Sequence, residues 1–171
     1  GAPLTVTAPL STITQATSVG TPNIVGDFAK SVGQVTKVAN GVIYFPDTKQ
    51  ITDPSVATVT SANGLNGQFS NKAITDSQGN LLLVNPAPGQ NGTLGLKWIE
   101  GPAYLGFDTN LIKRVRITET KEFEFRMDVV NVLNRPNFAP PADLSINSTS
   151  FGRITTASGT RRFTIAARLN F

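Results

Sequence analysis

From Phe163 onward, apolar side chains fall on every second position: Phe163, Ile165, Ala167, Leu169 and Phe171. Thr164, Ala166, Arg168 and Asn170 stand between them. A strand turns successive side chains to opposite faces, so this spacing specifies one apolar face and one mostly polar face. The eight rises from Phe163 to Phe171 cover about 26 Å along the strand, and less once the strand is tilted. The segment EFEFRMDVVNVL repeats the pattern more sharply. Phe123, Phe125, Met127 and Val129 share one face, and Glu122, Glu124, Arg126 and Asp128 share the other.

The rest of the chain is consistent with a fold made of strands. Charged residues are only 15% of the 171 residues, apolar residues are 39%, and proline occurs 11 times. Abundant Gly, Asn, Ser and Thr with many β-branched residues favour short strands and turns over long helices. A strand is expected over residues 3–10, with Leu4, Val6 and Ala8 on one face. A hairpin is expected over residues 32–45, turning at Ala39-Asn40-Gly41. A second hairpin is expected over residues 73–84 around Asp76-Ser77-Gln78-Gly79-Asn80. Residues 47–67 give a weak signal, with turns at Asn63-Gly64 and Asn66-Gly67. Residues 11–30, 85–95 and 134–147 read as loops. Further strands are expected over residues 104–117, 122–133, 151–155 and 163–171. Strand, turn, strand, loop, strand is an antiparallel order. The fold class read from this is all-β, an antiparallel sheet forming a β-sandwich or a small barrel-like domain with long irregular loops. Length suits a single domain over 1–171. Its 1–96 part is loop-rich and its 97–171 part holds the regular strands.

Composition also limits the chemistry. There is no cysteine and no histidine, so disulfides, thiolate nucleophiles and imidazole bases are excluded. Asp108, Glu119, Glu122, Glu124 and Asp128 supply carboxylates, but alternation places them on solvated strand faces, and no acid/base pair or Ser-Lys dyad can be located by spacing. No catalytic residue, cofactor or metal is expected, and the chain reads as non-enzymatic. A calcium loop at Asp76 to Asn80 lacks further carboxylates and reads as a hairpin turn. Trp98 and Tyr104 suit either a membrane-interface anchor or ordinary packing. Asn91 and Asn147 open glycosylation-type triplets of a kind common by chance in such a composition. The net charge of +4 lies wholly in residues 97–171. There Arg and Lys alternate with Glu and Asp, so a mixed solvated face is expected and no nucleic-acid partner. No apolar run approaches the roughly 20 residues of a membrane helix. The opening GAPLTV has no initiator Met, and a processed or excised N-terminus is expected.

Two stretches, VVNVLNRPNF and FGRITTASGTRRFTIAARLNF, resemble the C-terminal end of TonB-dependent outer-membrane receptors of the Oar-like, carboxypeptidase-regulatory-like kind. Asn131, Asn134, Pro136, Asn137, Phe138, Phe151, Gly152, Ile154, Arg161 and Phe171 carry the resemblance in order. It is specific over about the last 75 residues and looser before them. It implies strands and turns of an outer-membrane barrel end, with a terminal aromatic as part of an insertion signal.

Two functional expectations follow. The chain is short against a large receptor barrel, which favours a self-sufficient or self-associating fold. The leading expectation is a structural subunit, extracellular or on the cell surface, that polymerises with copies of itself. In it, the N-terminal strand of one copy, with Leu4 and Val6, pairs beside Phe163, Ile165, Leu169 and Phe171 of another. The alternative is the C-terminal barrel segment of an intact TonB-dependent transporter in the outer membrane, with Glu122, Glu124, Arg126 and Asp128 facing the lumen.

Overall fold

Among the described residues every regular element is a β-strand. The computed structural model describes residues 1–8, 20–54, 72–87 and 90–171. In chain order the strands are β1 (Pro3–Leu4), β2 (Asn23–Ile24), β3 (Thr36–Val38), β4 (Gly41–Ile43), β5 (Thr48–Thr52), β6 (Lys72–Asp76) and β7 (Leu81–Val84). They continue with β8 (Ile99–Glu100), β9 (Thr109–Arg116), β10 (Glu122–Val130), β11 (Asn137–Phe138), β12 (Arg153–Ile154), β13 (Ala157–Ser158) and β14 (Arg162–Asn170). All strand pairs are antiparallel. The all-β antiparallel class read from the sequence is therefore the observed one. Among the described residues no helix occurs and no sheet closes into a barrel.

The chain forms two compact units. The first comprises Gly1–Pro102 and Ala139–Thr156. It holds the sheets β2-β7-β6-β5, β12-β4-β3 and β1-β8. Both hairpins expected from turn chemistry are present. The β3–β4 hairpin turns at Ala39 and Asn40, and Gly41 takes φ 132°, which a side chain would resist. The β6–β7 hairpin turns at Asp76 to Asn80. The run Leu81 to Val84 does not alternate because both faces of β7 are covered; Leu82, Leu83 and Val84 are all buried.

The core of this unit is built on Phe28, Tyr44, Phe45, Ile74, Leu83, Ile99 and Ile146. Phe151 stacks on Phe45 with ring centroids 5.0 Å apart. Gly152 follows at φ 70°, and a Cβ there would lie 2.7 Å from Phe45 Cδ2. Ile154 then enters the core from β12. These three contacts are the physical content of the Phe-Gly-x-Ile pattern. A buried polar node also ties distant segments. The Asp53 carboxylate accepts from Asn85 N at 2.6 Å and Asn85 Nδ2 at 2.7 Å, and Asn147 Nδ2 donates to Asn85 Oδ1 at 2.7 Å.

The second unit comprises Ala103–Phe138 and Ala157–Phe171. Its main sheet has the order β14-β10-β9, and β11 pairs with β13.

Several boundaries differ from the sequence reading. The expected strand at 104–117 begins only at Thr109, because Leu105 N donates to the Asn137 side chain instead of a ladder. The expected strand at 122–133 stops at Val130, because Asn131 turns to φ 51°. Of the strand expected at 3–10, residues 3–8 hold β1 and a parallel bridge from Thr7 to Ser145, and residues 9–10 lie outside the described residues. The segments 23–24 and 137–138, read as loops, pair as β2 and β11. The turns expected at 63–64 and 66–67 lie outside the described residues.

Candidate functional site: an exposed amphipathic sheet

The register of the β14-β10-β9 sheet brings the alternations of three strands into phase. Met127 lies opposite Leu111 on one side and Ile165 on the other. Phe123 lies between Val115 and Leu169, and Val129 lies between Thr109 and Phe163. Phe125 lies between Ala167 and Lys113, the one charge on this face. A slip of one residue in either pairing would move a whole strand's apolar set to the opposite face. Yet most of this apolar face is not covered: Val129 is buried and Phe125 and Met127 are half-buried, but the flanking strands stand open. Ile165 is 65% exposed, Phe163 56% and Leu111 55%, and Phe171, just past β14, is 83% exposed. Cationic groups border two of its rings: Lys121 Nζ lies 5.6 Å from the Phe171 centroid and Arg161 5.5 Å from that of Phe163.

The opposite face is a ladder of charges. Glu124 stands between Arg114 and Arg168, and Glu122 between Arg116 and Asn170. Arg114 Nε bonds Glu124 Oε2 at 2.6 Å, and Arg126 Nε bonds Asp128 Oδ2 at 2.8 Å. Glu124 on the central strand thus meets guanidinium groups across both pairings, whereas the Arg126–Asp128 pair lies within the central strand itself. These pairs are solvated and each contributes little alone; their common register is the informative feature. The five candidate carboxylates divide accordingly. Glu122, Glu124 and Asp128 line this face, Asp108 accepts from Asn131 N at 2.8 Å, and Glu119 sits exposed in the β9–β10 turn.

One end of the sheet is tied by a polar knot. Asn131 Nδ2 donates to Arg135 O at 3.0 Å and also to Gly159 O, while Asn131 Oδ1 accepts from Arg135 N at 3.2 Å. Asn137 Oδ1 accepts from Leu105 N at 3.0 Å. Both asparagines are buried. The Asn-Val-Leu-Asn-x-Pro-Asn-Phe pattern thus pins three chain segments at the strand ends. Sequence reading marked it as a turn; its bonding partners, up to 32 positions away, leave no local signal.

The six residues expected at an assembly interface fall into two groups. Phe163, Ile165 and Leu169 share the exposed face, with Phe171 immediately after it. Leu4 and Val6 belong to the first unit, where Leu4 pairs with Ile99 and Val6 is 0% exposed. Leu111 and Val115 complete the apolar face, and the alternation of 104–117 was their signal.

The remaining candidates have local roles. Asp76 Oδ1 accepts from Gln78 N and Asn80 N, and its Oδ2 accepts from Asn80 Nδ2. The Asn80 side chain and the turn amides hold this carboxyl below the usual aspartate range. Trp98 Nε1 donates to Phe28 O at 3.0 Å, with Lys30 Nζ 4.8 Å from the ring. Tyr104 is exposed. In the triplet at Asn91, Thr93 Oγ1 accepts from Ile24 N. Among the described residues no group of three or more His, Cys, Asp or Glu side chains could hold a metal ion.

No curated protein matches the chain, and no solved structure does. The profile of the outer membrane beta barrel domain matches residues 1–164. With strands in phase and an apolar face left bare, the chain belongs to this outer membrane beta-barrel family, whose place is the outer membrane or cell surface.

Proposed function

We propose that β9, β10 and β14 are adjoining wall strands of an outer-membrane transporter of the TonB-dependent receptor kind. Their apolar face lies against lipid and their charged face lines the lumen through which a solute moves. One observation carries this reading: three registered strands expose their shared apolar face while the charges collect on the other. Half-exposed large apolar side chains gain roughly 1 kcal/mol each on transfer from water, so the face as a whole gains on the order of 5–10 kcal/mol in lipid. The nine residues of β10 and β14 reach the roughly 9–11 residues of a tilted membrane strand, and β9 falls one short with eight. Backbone groups cannot stay unpaired in hydrocarbon, so the outer edges of β9 and β14 require further strands beside them.

The open edge of β14 favours a second reading, the homopolymer built by strand complementation. Its donor would have to leave β8 and withdraw Val6 from the core, which places that reading second.

Reconstitution separates the two. The protein is placed in detergent-free buffer and in phospholipid vesicles, and followed by electron microscopy and protease digestion. The transporter reading expects no ordered polymer in buffer and a lipid-protected fragment containing β9, β10 and β14. Regular filaments in buffer that disappear on deletion of residues 1–8 would establish the polymer instead.

A further inference from the structure

We infer that the strand flanking the outer edge of β14 is an acidic one: an antiparallel wall strand with carboxylates at the positions opposite Arg162 and Arg168. This rests on the wall-strand reading and adds to it the chemistry of the neighbour.

The β14-β10-β9 sheet distributes its charges unevenly. Its acids all stand on the central strand, at Glu122, Glu124 and Asp128. The outer strands β9 and β14 hold Lys113, Arg114, Arg116, Arg162 and Arg168, and no acid. The acids of β10 are already engaged. Arg114 Nε lies 2.6 Å from Glu124 and 4.0 Å from Glu122, and Arg126 of the same strand holds Asp128. Arg168 is registered with Glu124, and Arg162 with Val130. Yet among the described residues neither arginine makes an ion pair. Both are exposed, and both lie on the charged face.

The outer edge of β14 pairs with no described strand, so its backbone groups form a template for one more. Arg162 and Arg168 lie six positions apart, which is about 20 Å along the strand. Between them on the same face stand only Thr164 and Ala166, both small. Carboxylates set opposite the two arginines are attracted across the new ladder, and cations there are repelled. On the other face, Phe163, Ile165, Ala167 and Leu169 ask for apolar neighbours. The same charge pattern argues against two other occupants. In a second copy the open edges are again β9 and β14, so edge-to-edge pairing would set one cationic strand against another. Residues 1–8 carry no acid, so a strand made of them leaves both arginines without a counter-charge.

Synthetic strands test this on the whole protein in nonionic detergent micelles. Peptides as long as β14 alternate valine with threonine, and the threonines that fall opposite Arg162 and Arg168 are replaced by glutamate, glutamine or lysine. A further peptide copies residues 1–8. Hydrogen exchange of the outward β14 amides reports strand addition. The glutamate peptide should protect them at a concentration about tenfold lower than the glutamine peptide, because two cross-strand charge pairs act together. The lysine peptide should protect least. The preference should vanish in the Arg162→Gln, Arg168→Gln double variant, and shrink at high salt. N-methylation of alternate peptide bonds should abolish protection by the glutamate peptide. Equal protection by the glutamate and glutamine peptides overturns the acidic neighbour and leaves the wall-strand reading standing. Stronger protection by residues 1–8 overturns it in favour of the homopolymer. If no peptide protects β14, the edge accepts no strand, and the wall-strand reading falls with the proposal.

Discussion

Asn131 concentrates several demands in one side chain. It ends β10 at φ 51°, a conformation that asparagine tolerates better than most residues. Its amide nitrogen donates to two carbonyls, those of Arg135 and Gly159, and its oxygen accepts from Arg135 N. Asn131→Asp keeps the shape and the tolerance for positive φ, but sets a carboxylate oxygen against two carbonyl acceptors. Leaving buried partners unmet costs about 1–3 kcal/mol apiece, so the second unit should lose roughly 2–4 kcal/mol in vesicle-bound denaturant unfolding. Asn131→Gly keeps the backbone conformation and lets water reach the carbonyls, and should lose less. Equal stability of all three proteins would show that the knot does not hold the strand ends. Gly152 makes the complementary point. A glycine in sequence gives no sign that Phe45, more than a hundred positions earlier, closes over it.

At the scale of elements, β9 carries the one conflict on the apolar face. Lys113 lies beside Phe125, near the middle of the sheet, with its neighbours Leu111 and Val115 on the same face. A lysine at mid-depth on a lipid face costs about 2–4 kcal/mol, less where the ammonium reaches the interface. Lys113→Leu should therefore stabilise the vesicle-inserted protein by roughly 1–3 kcal/mol in reversible unfolding. Destabilisation would mean that an acidic partner, not lipid, meets this part of β9. The strands themselves were unequally legible. β10 and β14 were readable because nine residues repeat a period of two against an exposed face. The two hairpins were readable because their turn residues act locally, at Asn40-Gly41 and at Asp76. The strands β1, β2, β8, β11, β12 and β13 have two residues each; β1 and β12 fall inside the strands expected over 3–10 and 151–155, but the other four are too short to show any period. All six exist only through distant partners: Pro3 pairs with Glu100, and Ile154 with Val42.

At the scale of the molecule, the two units solve opposite solvent problems. The first buries Val6, Phe28, Ile74, Leu83 and Ile99, so water drives its folding. The second leaves Leu111, Val115, Phe163, Ile165 and Leu169 exposed, so water opposes its ordered state. Charge patterning in sequence separates residues 1–96 from 97–171. The compact units instead join residues 139–156 to 1–102, because β12 adds to β4 and Ile146 N donates to Thr7 O. Hydrogen exchange on the whole protein should read the difference directly. In buffer without lipid, amides of β6 and β7 should exchange on the order of a hundredfold more slowly than those of β9 and β14. Vesicles should slow exchange in β9, β10 and β14 while leaving β6 and β7 unchanged. If lipid left the second unit as fast as before, the bare apolar face would need a protein partner and the wall-strand reading would fall. If lipid slowed both units together, the division of labour between a water-folded domain and a lipid-folded sheet would fall instead.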